Sequence, residues 1–212
     1  MTTQTEETQP LPITEHELIA LVALANTPAA LTCQTLFRLD HVAGAPLEQA
    51  GVTTLLERGL LTIDQNALLP VGPAVAVTGV LAESDSWLEV ALVTPEAEHV
   101  YFLFGSDHGA LVLSLSKYGV HELRPLVNIE GMFTTAIEMV NYYLGTSPDG
   151  LPAAATLRRH LGDKRSHAVH LKAEPDGSLA IAHGEGEDLP SAPVAKSDLG
   201  LKIREGLSLH SA

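Results

Sequence analysis

Ten histidines and one cysteine are the side chains of this 212-residue chain best suited to ligate a metal or act as a nucleophile. His167, His170 and His183 fall close together where the sequence reads as two strands joined by Glu174-Pro175-Asp176-Gly177. Positions 167 and 170 differ by an odd number, so on a strand they point to opposite faces. A zinc site also wants fixed short spacings with cysteine or a third convergent ligand, and no such spacing occurs. No metal is therefore expected. His99, His108 and His121 are scattered over strand starts and a turn, where surface or capping roles suffice. Cys33 lies in Leu-Thr-Cys-Gln-Thr-Leu-Phe and reads as a small buried hydrophobe, not a nucleophile. A single cysteine excludes an intramolecular disulfide.

Other catalytic signatures are missing from the sequence. Gly184-Glu185-Gly186 and Gly105-Ser106-Asp107-His108-Gly109 are glycine-rich, but neither follows a strand and opens a helix as a phosphate loop must. There is no Gly-x-Ser-x-Gly elbow. Glu96 with Glu98, and Glu185 with Glu187, read as solvated turns, and the ligand spacing of a calcium loop is absent around Asp176-Gly177. The expectation is a protein without catalytic residues or cofactor. The aromatic residues offer a different chemistry, that of a protein interface. Trp87, Tyr142 and Tyr143 are the candidate partner-binding residues. Tyr142 and Tyr143 are adjacent on a helix, about 100° apart, so both cannot face one core centre.

These side chains must be positioned by a folded domain. Hydrophobic residues make up 45% of the chain and charged ones 18%, a globular composition. The net charge of -14 disfavours nucleic acid and anionic membrane surfaces, both of which need a positive face. That charge is unevenly spread. Residues 1–150 carry 18 acids and 4 bases, whereas 151–212 carry 8 of each. The acidic, polar first residues are the reverse of a signal peptide, and no apolar run reaches the roughly 18 to 20 residues of a membrane span. A cytoplasmic protein is expected.

Along the chain, Pro10 and Pro12 close a leader. Thr14 with Glu17 three residues on forms a capping box ahead of the apolar run Leu18 to Leu24. Helical pieces follow at about 29–39 and 46–58, the latter ended by Gly59, and then a short hairpin around Asp64-Gln65-Asn66. Residues 70–82 are open to a buried helix or a strand. β-branched content favours a strand, whereas the place after a proline and before Glu83-Ser84-Asp85 favours a short helix, the reading preferred here. From Trp87 the apolar period changes to two, and four strands (87–93, 99–104, 110–116, 120–126) at roughly 10-residue spacing predict an antiparallel meander. The second is apolar on both faces and needs a cover. Ile129 to Leu144 supplies one, with Met132, Phe133, Ala136, Met139, Val140 and Tyr143 on one stripe. Beyond Pro152 the sequence predicts a short helix (153–161), a hairpin (167–173 and 178–183) and a last helix (197–208).

The fold expected is thus α+β: N-terminal helices leading into a four-stranded antiparallel sheet covered by a long helix, with a small C-terminal helix-hairpin extension. Its parts are a leader (1–12), the helical segment with sheet and covering helix (13–150), and the extension (151–212). Three helices and a short hairpin are also the order of a winged helix, so a ligand-sensing transcriptional regulator is the alternative. Against it, the would-be recognition helix 46–58 has Arg58 as its only base, offset by Glu48 and Glu57.

One stretch carries a family likeness. Thr53-Thr54-Leu55-Leu56-Glu57-Arg58-Gly59-Leu60-Leu61 is followed by an Asp/Asn turn, Ala67-Leu68-Leu69-Pro70 and an apolar run ending Val80-Leu81-Ala82. Trp87 to Val93, Gly109-Ala110-Leu111-Val112-Leu113 and Val120-His121-Glu122-Leu123-Arg124-Pro125-Leu126 then follow. This order, over about residues 15–145, resembles the EspG-like family of actinobacterial type VII (ESX) secretion-associated proteins. The resemblance implies a non-enzymatic cytosolic chaperone or adaptor with a central antiparallel sheet. Its partner would be a helical secretion substrate of the PE–PPE type, a homodimer being compatible with it. No individual binding residue carries over.

Overall fold

Thr14 decides where the first helix begins. It ends strand β1 (Leu11–Thr14) and caps helix α1 (Glu15–Ala25): its N–H donates to Glu17 Oε2 at 2.9 Å, and the Glu17 N–H donates back to Thr14 Oγ1 at 3.4 Å. Helices α2 (Pro28–Leu36) and α3 (Ala45–Glu57) each place a proline in the first turn, where the missing N–H costs nothing. Gly59, at φ 66°, closes α3 in the left-handed region, and Leu60 N–H reaches back to the Leu55 carbonyl at 2.8 Å. The hairpin β2 (Leu61–Asp64) and β3 (Ala67–Pro70) turns on Gln65 and Asn66, both at positive φ. Helix α4 (Pro73–Glu83) leads into the main sheet. The computed structural model describes residues 9–40, 42–161, 165–186 and 188–209. Residues 1–8 of the expected leader and Glu187 of the acidic loop lie outside the described residues.

The sheet corrects the expected fold class. It has nine strands, not four. The meander is β4 (Ser86–Val93), β5 (Glu98–Ser106), β6 (Gly109–Ser114) and β7 (Val120–Leu126). After helix α5 (Ile129–Thr146) come β8 (Ala153–His160), β9 (Ser166–Ala173), β10 (Leu179–His183) and β11 (Ala192–Pro193), and then helix α6 (Leu199–Gly206). The order across the sheet is β1-β7-β6-β5-β4-β8-β9-β10-β11, and every pair is antiparallel. The short helix expected over 153–161 does not form, although alanine and arginine are good helix formers. Instead 153–160 pair with β4 on one side and β9 on the other. The α+β class stands, but the C-terminal hairpin extends the central sheet. Tertiary pairing overrides a helix propensity worth only tenths of a kcal/mol per residue. The edge strands are short and each carries a proline, Pro12 in β1 and Pro193 in β11, which blunts further strand addition.

Alternation along the strands divides two cores. On one face Trp87, Phe102, Phe104, Leu111, Leu113 and Leu123 meet helices α1 to α4. Phe37, just after α2, packs its ring 5.0 Å from Phe104 and 5.4 Å from Phe102. On the other face Leu88, Val90, Leu103, Leu157, Val169 and Leu171 meet α5 and α6. β5, with Phe102 and Phe104 on one face and Leu103 on the other, belongs to the sheet's interior for that reason.

Polar ties lock the layers. Arg58 Nη1 donates to both Glu17 oxygens, at 2.8 and 2.7 Å, and Nη2 donates to the Pro12 carbonyl at 2.8 Å. One guanidinium therefore joins the end of α3 to the start of α1 and to β1. The sole base of the would-be recognition helix is spent on this internal pair. On the β8 side, the nearly buried Glu89 meets Arg38 at 3.0 Å, His160 at 3.5 Å and Arg158 at 3.6 Å. The His160 contact, then the two guanidiniums, hold its carboxyl below the ordinary range despite burial. Arg159, on the opposite face of β8, donates to the carbonyls of Leu207 and Ser208 at 3.3 and 3.1 Å and so fastens the end of α6 to the sheet.

Candidate partner-binding groove

Helix α5 follows its apolar stripe. Met132, Phe133, Ala136, Val140 and Tyr143 are buried against β4, β5, β6 and β8, and Asn128 caps its first turn by accepting from Gly131 N–H at 2.9 Å. So placed, α5 leaves a neighbouring strip of sheet that no other helix of the described residues covers, with Gln9 and Pro10 at its border. On β7 the even positions Glu122, Arg124 and Leu126 face this strip, while Leu123 points into the helical layer. The result is a groove of about 760 Å³ whose floor includes Tyr101, Val112 and Arg124 and whose wall is Thr135 and Met139 of α5. A second cleft, of about 330 Å³, lies at the C-terminal end of α5 and shares Tyr101 and Met139 with the first. Leu92, His99, Tyr142, Tyr143, Pro148 and Asp149 line it.

The electrostatics of the two parts differ. In the larger groove Arg124 is paired with Glu122 at 3.1 Å, both well exposed, a contact worth little in water. In the smaller cleft His99 Nε2 and Asp149 Oδ2 are 2.9 Å apart, and the His99 ring stands edge-on to Tyr143 with centroids 6.0 Å apart. Burial pushes the Tyr143 hydroxyl above its ordinary value, and the nearby Asp149 charge adds to this. Tyr101 shifts the same way for the same first cause, with Arg124 opposing and Asp149 reinforcing. Both phenols are therefore neutral hydrogen-bonding groups at physiological pH.

The three aromatic residues singled out in the sequence fall in three settings. Trp87 is buried among α1 to α4, and its indole N–H points at Cys33 Sγ, 3.3 Å away. Tyr143 is 4% exposed and faces the opposite core. Tyr142 is 65% exposed and lines the cleft. The structure thus brings Tyr142 and Tyr143 together at one end of α5 and puts Trp87 on the other side of the sheet. Tyr101, His99 and Asp149 complete the cleft without having been singled out. Positions 99 and 101 share parity on β5, a signal that could have placed them on one face. Nothing local links His99 to Asp149, fifty residues away.

The remaining candidate ligands serve the fold. His121 is buried, its Nδ1 accepting from Ser116 N–H at 3.1 Å, and burial pulls its pKa down. His170 bridges Thr156 and the Gly184 carbonyl at 3.2 and 3.1 Å. His183 abuts Gly206 of α6. Among the described residues, no group of three or more His, Cys, Asp or Glu side chains could hold a metal ion. Among them, too, no helix is long and apolar enough to cross a membrane.

No protein-family model matches the sequence, and no curated protein matches it. A solved structure does share its fold. The Mycobacterium tuberculosis type VII secretion system chaperone EspG5, determined in complex with a PE25–PPE41 dimer, superposes with a TM-score of 0.54. The match covers 96% of this chain and 97% of that one, at 11% sequence identity. At that identity the likeness is one of fold, and its 96% coverage extends well beyond residues 15–145.

Proposed function

We propose that this is a non-enzymatic binding protein of the EspG kind, a cytosolic chaperone or adaptor that holds a helical protein partner of the PE–PPE type before export. The observation that carries this reading is the fold shared, over 96% of the chain, with a chaperone solved in complex with a PE25–PPE41 dimer. The uncovered groove beside α5 supports it, since a chaperone must keep a concave surface free for its client. Tyr142 is the contact residue the reading favours, being large, amphipathic and exposed at the groove's end. The net charge of -14 adds a constraint: the client's contact face should be apolar or basic, and salt should weaken the complex.

The test is co-expression with PE–PPE pairs encoded in the same genome, followed by size-exclusion chromatography with light scattering. Co-elution of a defined complex whose affinity falls between low and high salt is the expected result. If every such pair elutes separately from this chain at low salt, the proposal fails.

A further inference from the structure

The cleft at the C-terminal end of α5 combines four features that favour a positively charged guest. First, its walls are aromatic: Tyr101, Tyr142 and Tyr143 surround a space of about 330 Å³, and Tyr142 is largely open to solvent. Ring faces carry negative charge density and attract cations within about 6 Å. Second, Asp149 stands at the rim with its side chain 32% exposed, where the cleft adjoins a hollow that also takes in Glu96. Third, α5 ends here. Its 18 residues aim the negative end of their aligned peptide dipoles at the cleft, and its last turn holds no basic side chain. Of the bases near this end of the helix, Arg124 is paired with Glu122 and His99 with Asp149, while Lys196 Nζ lies beside Gly145 in the neighbouring hollow lined by Asn141 and Leu144, not in this cleft.

The fourth feature is the most pointed. The Tyr143 hydroxyl is buried within reach of Thr94 and Asp149, and among the described residues it makes no hydrogen bond of ordinary geometry. Buried hydroxyls are rarely left so, because the loss of water is uncompensated. A donor that displaces the cover over this oxygen would supply a well-formed bond.

We propose that this cleft takes the guanidinium group of an arginine side chain presented by the protein partner. Guanidinium fits the site better than ammonium. It is planar and stacks on tyrosine rings, its several N–H groups can serve the Tyr143 oxygen and the Asp149 carboxylate together, and it sheds water more readily. Arginine is also, with tryptophan and tyrosine, among the residues enriched where a few side chains dominate an interface. The inference rests on the partner-binding reading above and names what that partner must carry.

N-ethylguanidinium, with N-ethylurea as its uncharged isostere, is the probe. Titrated into the full chain and followed by amide NMR shifts, the cation is expected to give saturable changes at His99, Tyr101 and Tyr142 to Asp149. N-ethylurea at equal concentration should give none there. Tyr142→Ala, at an exposed ring that the fold does not need, should weaken the cation at least fivefold, and Asp149→Asn should do the same. Shifts that do not saturate, that the urea reproduces, or that survive both substitutions overturn the proposal. The two readings fail separately. If a PE–PPE pair binds with unchanged affinity in both variants while the cation finds no site, the pocket inference falls and the chaperone reading stands. If the cation binds as expected but no partner is ever retained, the reverse holds.

Discussion

Replacing Arg58 with alanine removes a guanidinium that makes three hydrogen bonds, two to Glu17 and one to the Pro12 carbonyl. Glu17 is 1% exposed, so its carboxylate would be left buried with the Thr14 amide as its remaining partner. Removing one member of a buried ion pair costs about 3 to 5 kcal/mol. Arg58 itself is 35% exposed, and water entering the vacated space moves the expectation to the lower end, about 3 kcal/mol. In urea, with a slope of about 2 kcal/mol per molar, this is a midpoint lowered by about 1.5 M with the slope unchanged. Far-ultraviolet circular dichroism at pH 7 reads it. The pH dependence gives a second check. Burial raises the Glu17 pKa, but the Thr14 amide and Arg58 outweigh it, and the folded value lies below the ordinary 4.5. A lowered folded pKa contributes stability that is present above 4.5 and is lost as pH falls through the folded value. The gap between wild type and Arg58→Ala should therefore narrow in acid. Adding Glu17→Gln to Arg58→Ala should cost less than the two single changes summed, because no charge remains buried. A midpoint within about 0.3 M of wild type, on the same slope scale, or a gap that persists undiminished well below pH 4, would refute the reasoning.

Gly51 sits where α3 crosses α1, and a Cβ there would run into the His16 carbonyl. Gly51→Ala is expected to lose about 3 kcal/mol in thermal or urea unfolding, the upper end for overpacking because backbone cannot rotate aside. The Cys33 thiol is pushed up to about 12, by burial first, with Trp87 and Ser84 opposing. It should resist alkylation by iodoacetamide at pH 8 in the native protein and react only on unfolding, as mass spectrometry can follow. Leu157 is fully buried at the centre of β8, so Leu157→Ala should cost about 3 kcal/mol, whereas Leu201→Ala on the exposed side of α6 should stay within about 0.5. Equal effects of the two would deny β8 its place in the core.

Much of the fold was legible because its signals are short-range. The Thr14–Glu17 capping box, the Gly59 stop, the period-two strands from Trp87 and the stripe of α5 each depend on residues within a few turns of one another. The likeness to EspG proteins rested on the same local patterns. Three strands escaped, β1, β8 and the two-residue β11, the first two for a common reason. β8 is written in alanine and arginine, and β1 in a proline-containing segment read as a leader. Both become strands because a neighbouring edge, of β4 or β7, offers a row of unpaired backbone groups.

The candidate site divides along the same line. An amphipathic helix with Tyr142 and Tyr143 at consecutive positions already requires that the two rings face different ways. The apolar stripe already assigns Tyr143 to the covering face, and in the structure Tyr143 is buried against the sheet while Tyr142 turns outward. Trp87 looks like an interface residue by type, yet its strand has a helical layer on that face and a sheet neighbour at each edge. His99 and Asp149 meet because β5 begins where the loop after α5 passes. Residue types, helix and strand periods and the acidic balance belong to the sequence itself, because each is set by neighbours along the chain. The nine-strand sheet, its two cores and the cleft at the end of α5 depend on pairings tens of residues apart, whose energies come from burial and backbone hydrogen bonds that no local pattern records.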